Sequence, residues 1–445
     1  MADCSQKLAV IGAGPVGLCV AKALETHKIA YDQFEADGDV GGNWLHGVYA
    51  SAHIISSRKT TEYSDYRMPA CYPDFPSAGQ MLAYLRDYAD HFGLRERIRF
   101  GTKVLMALPL AEGTWDLQFP GGERHVYKGL IVCNGHHWDR KFPSYPGVFT
   151  GQILHSKDYK SPSQLKGKRV LVIGGGNSAC DIAAEAARVG KSCTLSLRRG
   201  YWFLPKTLLG IPSPELIKPW TPVWAQRLFL RAVLRVVIGR YEDYGLPRPD
   251  HKIFEAHPTI NGELLHYIRH GRIEPRPDVA RYDGKVVHFA DGTSHEFDLI
   301  VCATGFHVSF PFLPEGVVRT RGGIADLYGG MFSAEYKNLY VVGTGQLRYG
   351  FGPVVTPGAE LLARMILLQD RMELPIGLVL KESGAKLPTT HLVDPHAALR
   401  AIRHAKRMLP LLAWKEKRLR KKFSAPAPRA FDVVPAGAAR DVEVF

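Results

Sequence analysis

The 445-residue chain is 46% hydrophobic, enough to bury a large core and build two or more domains. Its net charge of +14 leaves anionic partners open, but no run of eighteen apolar residues occurs, which excludes a membrane-spanning helix. Seven scattered cysteines form no C-x-x-C pair and no Cys/His cluster has zinc spacing, so no metal is expected and the chain reads as reduced and cytoplasmic, with no signal peptide at its N-terminus.

Lys7 to Ile11 reads as an apolar strand feeding the turn Gly12-Ala13-Gly14-Pro15-Val16-Gly17. Gly12 permits the tight turn, Gly14 lets backbone approach a pyrophosphate, and Gly17 lets the next helix pack on the strand. That helix, Pro15 to about His27, points its positive end at phosphates. A second strand, Ile29 to Phe34, ends at Glu35, eighteen residues past Gly17, with Ala36 next. A carboxylate there accepts hydrogen bonds from ribose hydroxyls and repels a 2′-phosphate, so this unit is expected to hold FAD or NAD. Gly41-Gly42-Asn43-Trp44 resembles the G-G-x-W loop of two-dinucleotide flavoproteins, where backbone crosses close to the isoalloxazine.

Ser77-Ala78-Gly79-Gln80 is a capping box for a helix to about Phe92, stopped by Gly93, with Leu82, Leu85, Ala89 and Phe92 as its apolar stripe. Trp115 to Phe119, a Pro120-Gly121-Gly122 turn and Tyr127 make a hairpin that leads into Leu130-Ile131-Val132-Cys133-Asn134-Gly135. His136 and His137 follow as candidates for the flavin edge. Val286 to Phe289, Asp291-Gly292 and Leu299 to Gly305 repeat the device, which marks two homologous units. Between them Phe149, Gly151, His155 and Tyr159 form an F-x-G-x-x-x-H-x-x-x-Y run.

Lys168 to Ile173 feeds a second turn, Gly174-Gly175-Gly176-Asn177-Ser178-Ala179, and a helix to about Val189 with Gly190 as its stop. The next strand, Cys193 to Leu197, ends in Arg198-Arg199. Arg198 lies 24 residues after Gly174, as Glu35 lies 23 after Gly12. A guanidinium clamps a 2′-phosphate and stacks on adenine, so this unit is expected to take NADPH over NADH.

Residues 216–238 look like an insert, with Arg227, Arg231 and Arg235 on one helical face and Trp224, Leu228, Leu230, Leu234 and Val237 among the residues filling the rest. Packing on the domain or a lid over the substrate is the favoured expectation, and contact with a membrane surface the alternative. Asn338 to Gly343 is another strand-to-turn segment, followed by Gln346 and by a helix from Pro357 to about Gln369. In a flavin domain that helix points its N-terminus at the pyrimidine end of the ring. Residues 401–425 hold nine Lys/Arg against one Glu. No nucleic-acid motif accompanies them, so a solvated tail helix and no nucleic-acid partner are expected. Ser424 to Phe445 is rich in Ala and Pro and is expected to be mobile.

Taken together over about residues 5 to 410, these features resemble the flavin-containing monooxygenases, class B flavoprotein monooxygenases. Ala303-Thr304-Gly305 downstream of the fingerprint, Thr61-Glu62-Tyr63-Ser64-Asp65-Tyr66 and Tyr72-Pro73-Asp74-Phe75-Pro76 carry the same resemblance. It implies an α/β chain of two Rossmann-like domains in a glutathione-reductase-like two-dinucleotide architecture. The FAD domain would be discontinuous (residues 1–162 and 306–423) and the NADPH domain inserted (163–305, with a helical insert at about 210–245). FAD would be held by Gly12, Gly14, Pro15, Val16, Gly17, Glu35, Ala36, Gly42, Asn43, Trp44, Asn134, Gly135, Gly343 and Gln346. NADPH would be held by Gly174, Gly176, Asn177, Ser178, Ala179, Arg198, Arg199, Ala303, Thr304 and Gly305.

The implied chemistry is reduction of FAD by NADPH, capture of O2 as a C4a-hydroperoxide, and transfer of one oxygen atom to a soft nitrogen or sulfur of a small substrate. Two departures bear on it. Many relatives carry Asn where this chain has Ile55, followed by Ser56-Ser57-Arg58, so these positions are the candidates beside the oxygenated flavin and uncoupling to H2O2 is the competing reading. The fingerprint ends Tyr159-Lys160 rather than in Trp, which lowers Baeyer–Villiger chemistry. A non-catalytic FAD/NADPH-binding sensor is the reading from another class. Peripheral membrane contact and a homodimer are both compatible with the chain.

Overall fold

The apolar run Leu8-Ala9-Val10 forms the inner half of β1 (Ala2–Ile11) and is buried on both faces, as a strand flanked by parallel neighbours and covered by helices must be. In the computed structural model, which describes residues 2–216 and 221–423, β1 lies in a seven-stranded sheet. The tail from Ser424 onward lies outside the described residues. β2 (Tyr31–Phe34) and β3 (Ile98–Arg99) continue the sheet on one side in parallel. On the other side β4 (Met106–Pro109) and β5 (Trp115–Gln118) run as an antiparallel meander into β6 (Arg124–Val132), which pairs in parallel with β1.

A second, five-stranded sheet repeats this core. It holds β7 (Gln152–His155), β8 (Arg169–Ile173), β9 (Ser192–Ser196), β10 (Glu274–Arg276) and β11 (Leu299–Cys302) in the parallel order β10-β9-β8-β11-β7. The order β3-β2-β1-β6 in the first sheet matches β10-β9-β8-β11 in the second. The strands 279–283, 286–289 and 294–296 form a separate antiparallel sheet, so the second hairpin is three-stranded and detached, whereas the first is continuous with β6. β12 (Leu339–Val341) then pairs with Leu130 to Val132 of β6, returning the chain to the first sheet. β7 pairs in parallel with β11 in the second sheet.

α1 (Pro15–Thr26) follows β1 and the one-turn α2 (Arg58–Thr61) lies farther along. α3 (Ala78–His91) starts at the expected capping box, with Gln80 N donating to Ser77 Oγ at 3.2 Å and Ser77 N to Gln80 Oε1 at 2.9 Å. Its buried stripe is Met81, Tyr84, Leu85, Tyr88 and Ala89, while Leu82 and Phe92 are only half-buried. Tyrosine rings displaced leucine from the core face because the Tyr84 hydroxyl is satisfied inside. It donates to Tyr66 O at 2.5 Å and accepts from Tyr63 N at 2.8 Å.

α4 (Asn177–Val189), the short α5 (Ser213–Leu216), α6 (Val223–Val237) and α7 (Leu264–Arg269) belong to the second half. α8 (Gly352–Gln369) begins before the expected Pro357, which sits inside the helix. Its start is pinned by packing: a Cβ on Gly352 would lie 1.9 Å from Glu62 O. Pro353 occupies the first turn, where a missing N–H costs nothing.

α9 (Ile376–Glu382) and α10 (Pro395–Arg420) close the chain over α8, and Leu412 of α10 joins the core under α1 and α8. Asp394 caps α10, accepting from His396 N at 2.9 Å and Ala397 N at 3.1 Å. Glu416, 1% exposed, accepts from Glu373 N at 2.9 Å, Leu374 N at 3.2 Å and Arg420 Nε at 2.6 Å. Burial alone would push its carboxyl up, but the Arg420 and backbone bonds together hold it below the usual carboxylate range. A lowered folded pKa contributes stability that is complete above the ordinary value of 4.5 and is lost as pH falls through the folded one. Glu416→Ala should therefore cost about 3 kcal/mol in urea unfolding at neutral pH, and the gap between variant and wild type should shrink as the pH is taken well below that value.

Candidate functional site

Each glycine turn is shaped by what presses on it. Gly12 has φ 102, and a Cβ there would lie 2.6 Å from Cys133 O at the end of β6. A Cβ on Gly17 would lie 2.1 Å from Gly12 O, so the first turn of α1 packs directly on the loop. Gly14 is the N-cap of α1, Pro15 opens the helix, and half-buried Val16 lies against Gly343. Gly42, at φ 53, places its backbone beside Gly14, with a Cβ on Gly42 3.0 Å from Gly14 Cα. The G-G-x-W loop thus crosses the phosphate turn glycine to glycine.

Glu35 stands at the end of β2 and is buried, with Ala36 exposed after it. Its carboxylate accepts from Ala13 N at 2.6 Å and from Asp37 N at 3.0 Å, so it also fixes the turn. Burial raises its pKa against the pull of those amides. Around the same turn, Asn43 Oδ1 and His136 Nε2 are buried with no protein partner. Trp44 packs against the hydrophobic clusters of both halves. Asn134 donates to Ser309 O at 3.0 Å, Gly135 takes φ 69, and His136 Nδ1 bonds Gly343 O at 2.9 Å. The His137 ring packs edge-on against His136, with ring centroids 4.1 Å apart. Gln346 opens the short strand β13 (Gln346–Leu347), which pairs with β14 (Leu392–Val393). Glycines that admit only backbone, two orphaned buried polar atoms and the free end of α1 form a cradle that fits an FAD.

The second turn has the same form and different chemistry. Gly174 has φ 126, and a Cβ there would lie 2.4 Å from Ala303 O at the end of β11. Gly176 caps α4 and faces open space, while Ala179 is buried where the first turn has Gly17. Asn177 Oδ1 accepts from Ile260 N at 2.8 Å. Arg198 and Arg199 are both exposed past the end of β9, and the Arg199 guanidinium lies 5.4 Å over the Tyr201 ring, which itself covers Gly175. Ala303, Thr304 and Gly305 follow β11, and the Thr304 hydroxyl donates to Lys141 O.

The fingerprint residues are turned inward. A Cβ on Gly151 would strike the Phe149 ring at 2.6 Å. Lys157 N donates to His155 Nδ1 at 3.1 Å, which leaves the ring proton on Nε2 to be donated to Gly305 O at 3.0 Å. Burial lowers the His155 pKa and supports this neutral form. The Tyr159 hydroxyl donates to buried Glu185 of α4. The run therefore ties β7 to the loop after β11 and to α4, and its polar atoms are engaged.

Three residues were not foreseen. Tyr49 OH donates to Asp181 Oδ2 at 2.8 Å, and Asn261 Nδ2 to Asp181 Oδ1 at 2.8 Å. Burial pushes the Asp181 carboxyl up, opposed by the Tyr49 bond and the charges of His53 and Lys206. Tyr49 belongs to the loop after Trp44 and lies beside Ser178, so this bond joins the two turns. A polar residue on the inner side of an otherwise alanine-rich helix was the one sequence signal.

Ile55 is half-buried and packs on the apolar cluster of Leu204, Leu230, Leu234, Phe254 and Leu392. The hydroxyls of Ser56 and Ser57 beside it are both engaged within the same segment. Ser56 Oγ is bonded to Thr61 Oγ1 at 2.6 Å, and Ser57 Oγ caps α2 by accepting from Thr60 N at 3.3 Å.

Two phosphate turns on matched sheets, one backed by an acid and one by arginines, define a two-dinucleotide flavoprotein oxidoreductase. Residues 5–369 match the family described as flavin-binding monooxygenase-like. Flavin-containing monooxygenase 5 of Oryctolagus cuniculus is 33% identical over 393 residues, 81% of this chain and 72% of the relative. Dimethylaniline monooxygenase [N-oxide-forming] 2 of Macaca mulatta is 32% identical over 81% of this chain and 72% of its own length. A closed crystal structure of cyclohexanone monooxygenase shares the fold with a TM-score of 0.70 at 18% identity, covering 94% of this chain and 99% of that one. A flavin-containing monooxygenase from Stenotrophomonas maltophilia does so at 0.64 and 23%, covering 82% and 98%. The chain belongs to the flavin-binding monooxygenase-like family and is an FAD- and NADPH-dependent monooxygenase.

Tyr159→Phe should lower stability by about 1–3 kcal/mol, because Glu185 loses its buried donor. Flavin reduction at saturating NADPH should stay within about two-fold of wild type. Slow reduction in a variant of unchanged melting temperature would assign the tyrosine a chemical role.

Proposed function

We propose that the chain transfers one oxygen atom from O2 to a soft nitrogen or sulfur of a small organic molecule, with electrons from NADPH. The observation that carries this reading is the exchange of chemistry at one topological position, buried Glu35 after β2 and exposed Arg198-Arg199 after β9. An acid that tolerates ribose hydroxyls and a basic pair that favours a 2′-phosphate assign FAD to the first turn and NADPH to the second. Segments before Gln152 and from 306 to 423 would form the FAD part, and the segment between them the NADPH part, a division supported by sheet pairing.

Bound FAD supplies the oxygen activation. The chain's own groups do the rest. The amides of the Gly12 turn and the N-terminus of α1 hold the pyrophosphate, and Glu35 has lone pairs left for ribose. Asn43 Oδ1 and His136 Nε2 offer unspent polar contacts, and the N-terminus of α8 at Gly352 favours negative charge on a reduced ring. Ile55 and its apolar neighbours exclude water from the oxygenated side. Cytoplasmic residence is supported by seven free cysteines, five of them buried. Peripheral membrane contact is supported by the outward face of α6, and a homodimer is the competing use of that face.

A second reading, an NADPH oxidase releasing H2O2, is favoured by Ile55 and by the engaged hydroxyls of Ser56 and Ser57. Arg198→Ala and Arg199→Ala together should raise the dissociation constant for NADPH at least about ten-fold and that for NADH less than about two-fold, measured by flavin reduction under anaerobic conditions. Equal losses for both nucleotides would remove the 2′-phosphate assignment. In a second experiment, NADPH-reduced protein is mixed with oxygenated buffer while flavin absorbance and H2O2 are followed. Ile55→Asn should lengthen any spectrum that is neither oxidised nor reduced and cut H2O2 release severalfold. No change in either would mean that residue 55 does not face the reacting oxygen.

A further inference from the structure

Half of the large hydrophobic side chains exposed among the described residues fall between Leu209 and Val237. α6 is the centre of this patch. Gln226, Leu230 and Leu234, spaced by four, are its buried side, and the two leucines join the cluster that contacts Ile55. On the opposite side Leu228, Ala232 and Val236 repeat the same spacing and face outward, with Leu228 65% and Val236 85% exposed. Trp224, 69% exposed, and the exposed Arg231 and Arg235 flank that apolar row. A surface helix normally puts its charges outermost and its apolar residues inward. Here both sides are apolar and the arginines sit along the border. The expected packing accounts for one side only.

A second feature of the same insert points the same way. Leu209 is 95% exposed at the tip of a two-strand turn and holds φ 52, followed by Gly210 at φ 77. Positive φ at both central residues of a tight hairpin favours Asn or Gly, and a leucine there is strained. Neither burial nor turn chemistry explains it.

We infer that the outward face of α6, with the Leu209 tip, docks on an anionic lipid bilayer. The chemistry fits lipid rather than a protein pocket. An indole and aliphatic side chains suit the acyl boundary, and guanidinium groups at the rim suit lipid phosphates. Arg231 and Arg235 make no ion pair among the described residues, so their charge is unspent, and the chain as a whole carries +14. At 15 residues α6 is too short to cross a bilayer, so it lies in the plane of the interface. The inference rests on the peripheral contact proposed with the monooxygenase reading, but its test reads no turnover, so the two fail separately.

The test is flotation of the full-length, flavin-loaded protein with vesicles of phosphatidylcholine containing phosphatidylserine, and with phosphatidylcholine alone. Wild type should float with the first and much less with the second. Leu228→Glu with Val236→Glu should abolish flotation at unchanged melting temperature and flavin content. Arg231→Gln and Arg235→Gln should each weaken partitioning about five-fold at low salt. Leu209→Asn, which also relieves the turn, gives an independent loss if the α6 variant folds poorly. Three results would overturn the inference. Wild type could stay unbound. The Leu228→Glu/Val236→Glu protein could float like wild type, which would hand the contact to the lysines and arginines of α10. Sedimentation velocity could find a vesicle-free dimer that this variant splits, which would give the face to a second copy of the chain.

Discussion

In both halves the strand that closes the sheet ends with a carbonyl pressed on the first glycine of the phosphate turn. Cys133 O lies 2.6 Å from where a Gly12 Cβ would sit, and Ala303 O 2.4 Å from the Gly174 equivalent. With φ at 102 and 126 the backbone also occupies a region closed to most side chains. The turn is wedged between the closing strand and the following helix, so the helix can leave in only one direction. That direction aims the amides of the first turn of α1 and of α4 at the same point relative to their sheets. The course of both helices follows from this contact.

Within one frame the two sites diverge by what stands after the second strand. A carboxylate is compact and can be buried if amides meet it, as Ala13 N and Asp37 N meet Glu35. It then fixes the turn. Two guanidinium groups could not be buried there without large desolvation, and Arg198 and Arg199 stay in solvent. The fingerprint run belongs to the frame rather than to the chemistry. His155 and Tyr159 spend their polar atoms on Gly305 O and Glu185.

The repeated core was legible because its signals are local. Strand, glycine spacing, helix and terminal acid or base follow one another within a few tens of residues. What escaped was set by contacts distant in sequence. The start of α8 depends on Gly352 meeting Glu62 O, which no helix rule near Pro357 contains. The α3 stripe went to tyrosines because partners at residues 63 and 66 satisfy the Tyr84 hydroxyl. In α6 the apolar residues could be counted but not apportioned between an inner and an outer side. The bonds of Ser56 to Thr61 and of Ser57 to Thr60 likewise depend on how the loop folds back on α2.

The bond between Tyr49 and Asp181 has a consequence for how such a chain can be recombined. The tyrosine belongs to the loop that crosses the first turn, and the aspartate to the helix that leaves the second. Neither half is a self-contained module, although the sheets look like two copies of one part. Exchanging the 165–305 segment with that of a relative would bring a new α4 under an old loop. The graft would carry a carboxylate that keeps Asn261 but lacks its tyrosine donor, or a tyrosine without its acceptor, unless residues 41–54 travelled with it. Among the described residues the exposed strand end at Arg198 makes no such contact across the seam and can change without disturbing it.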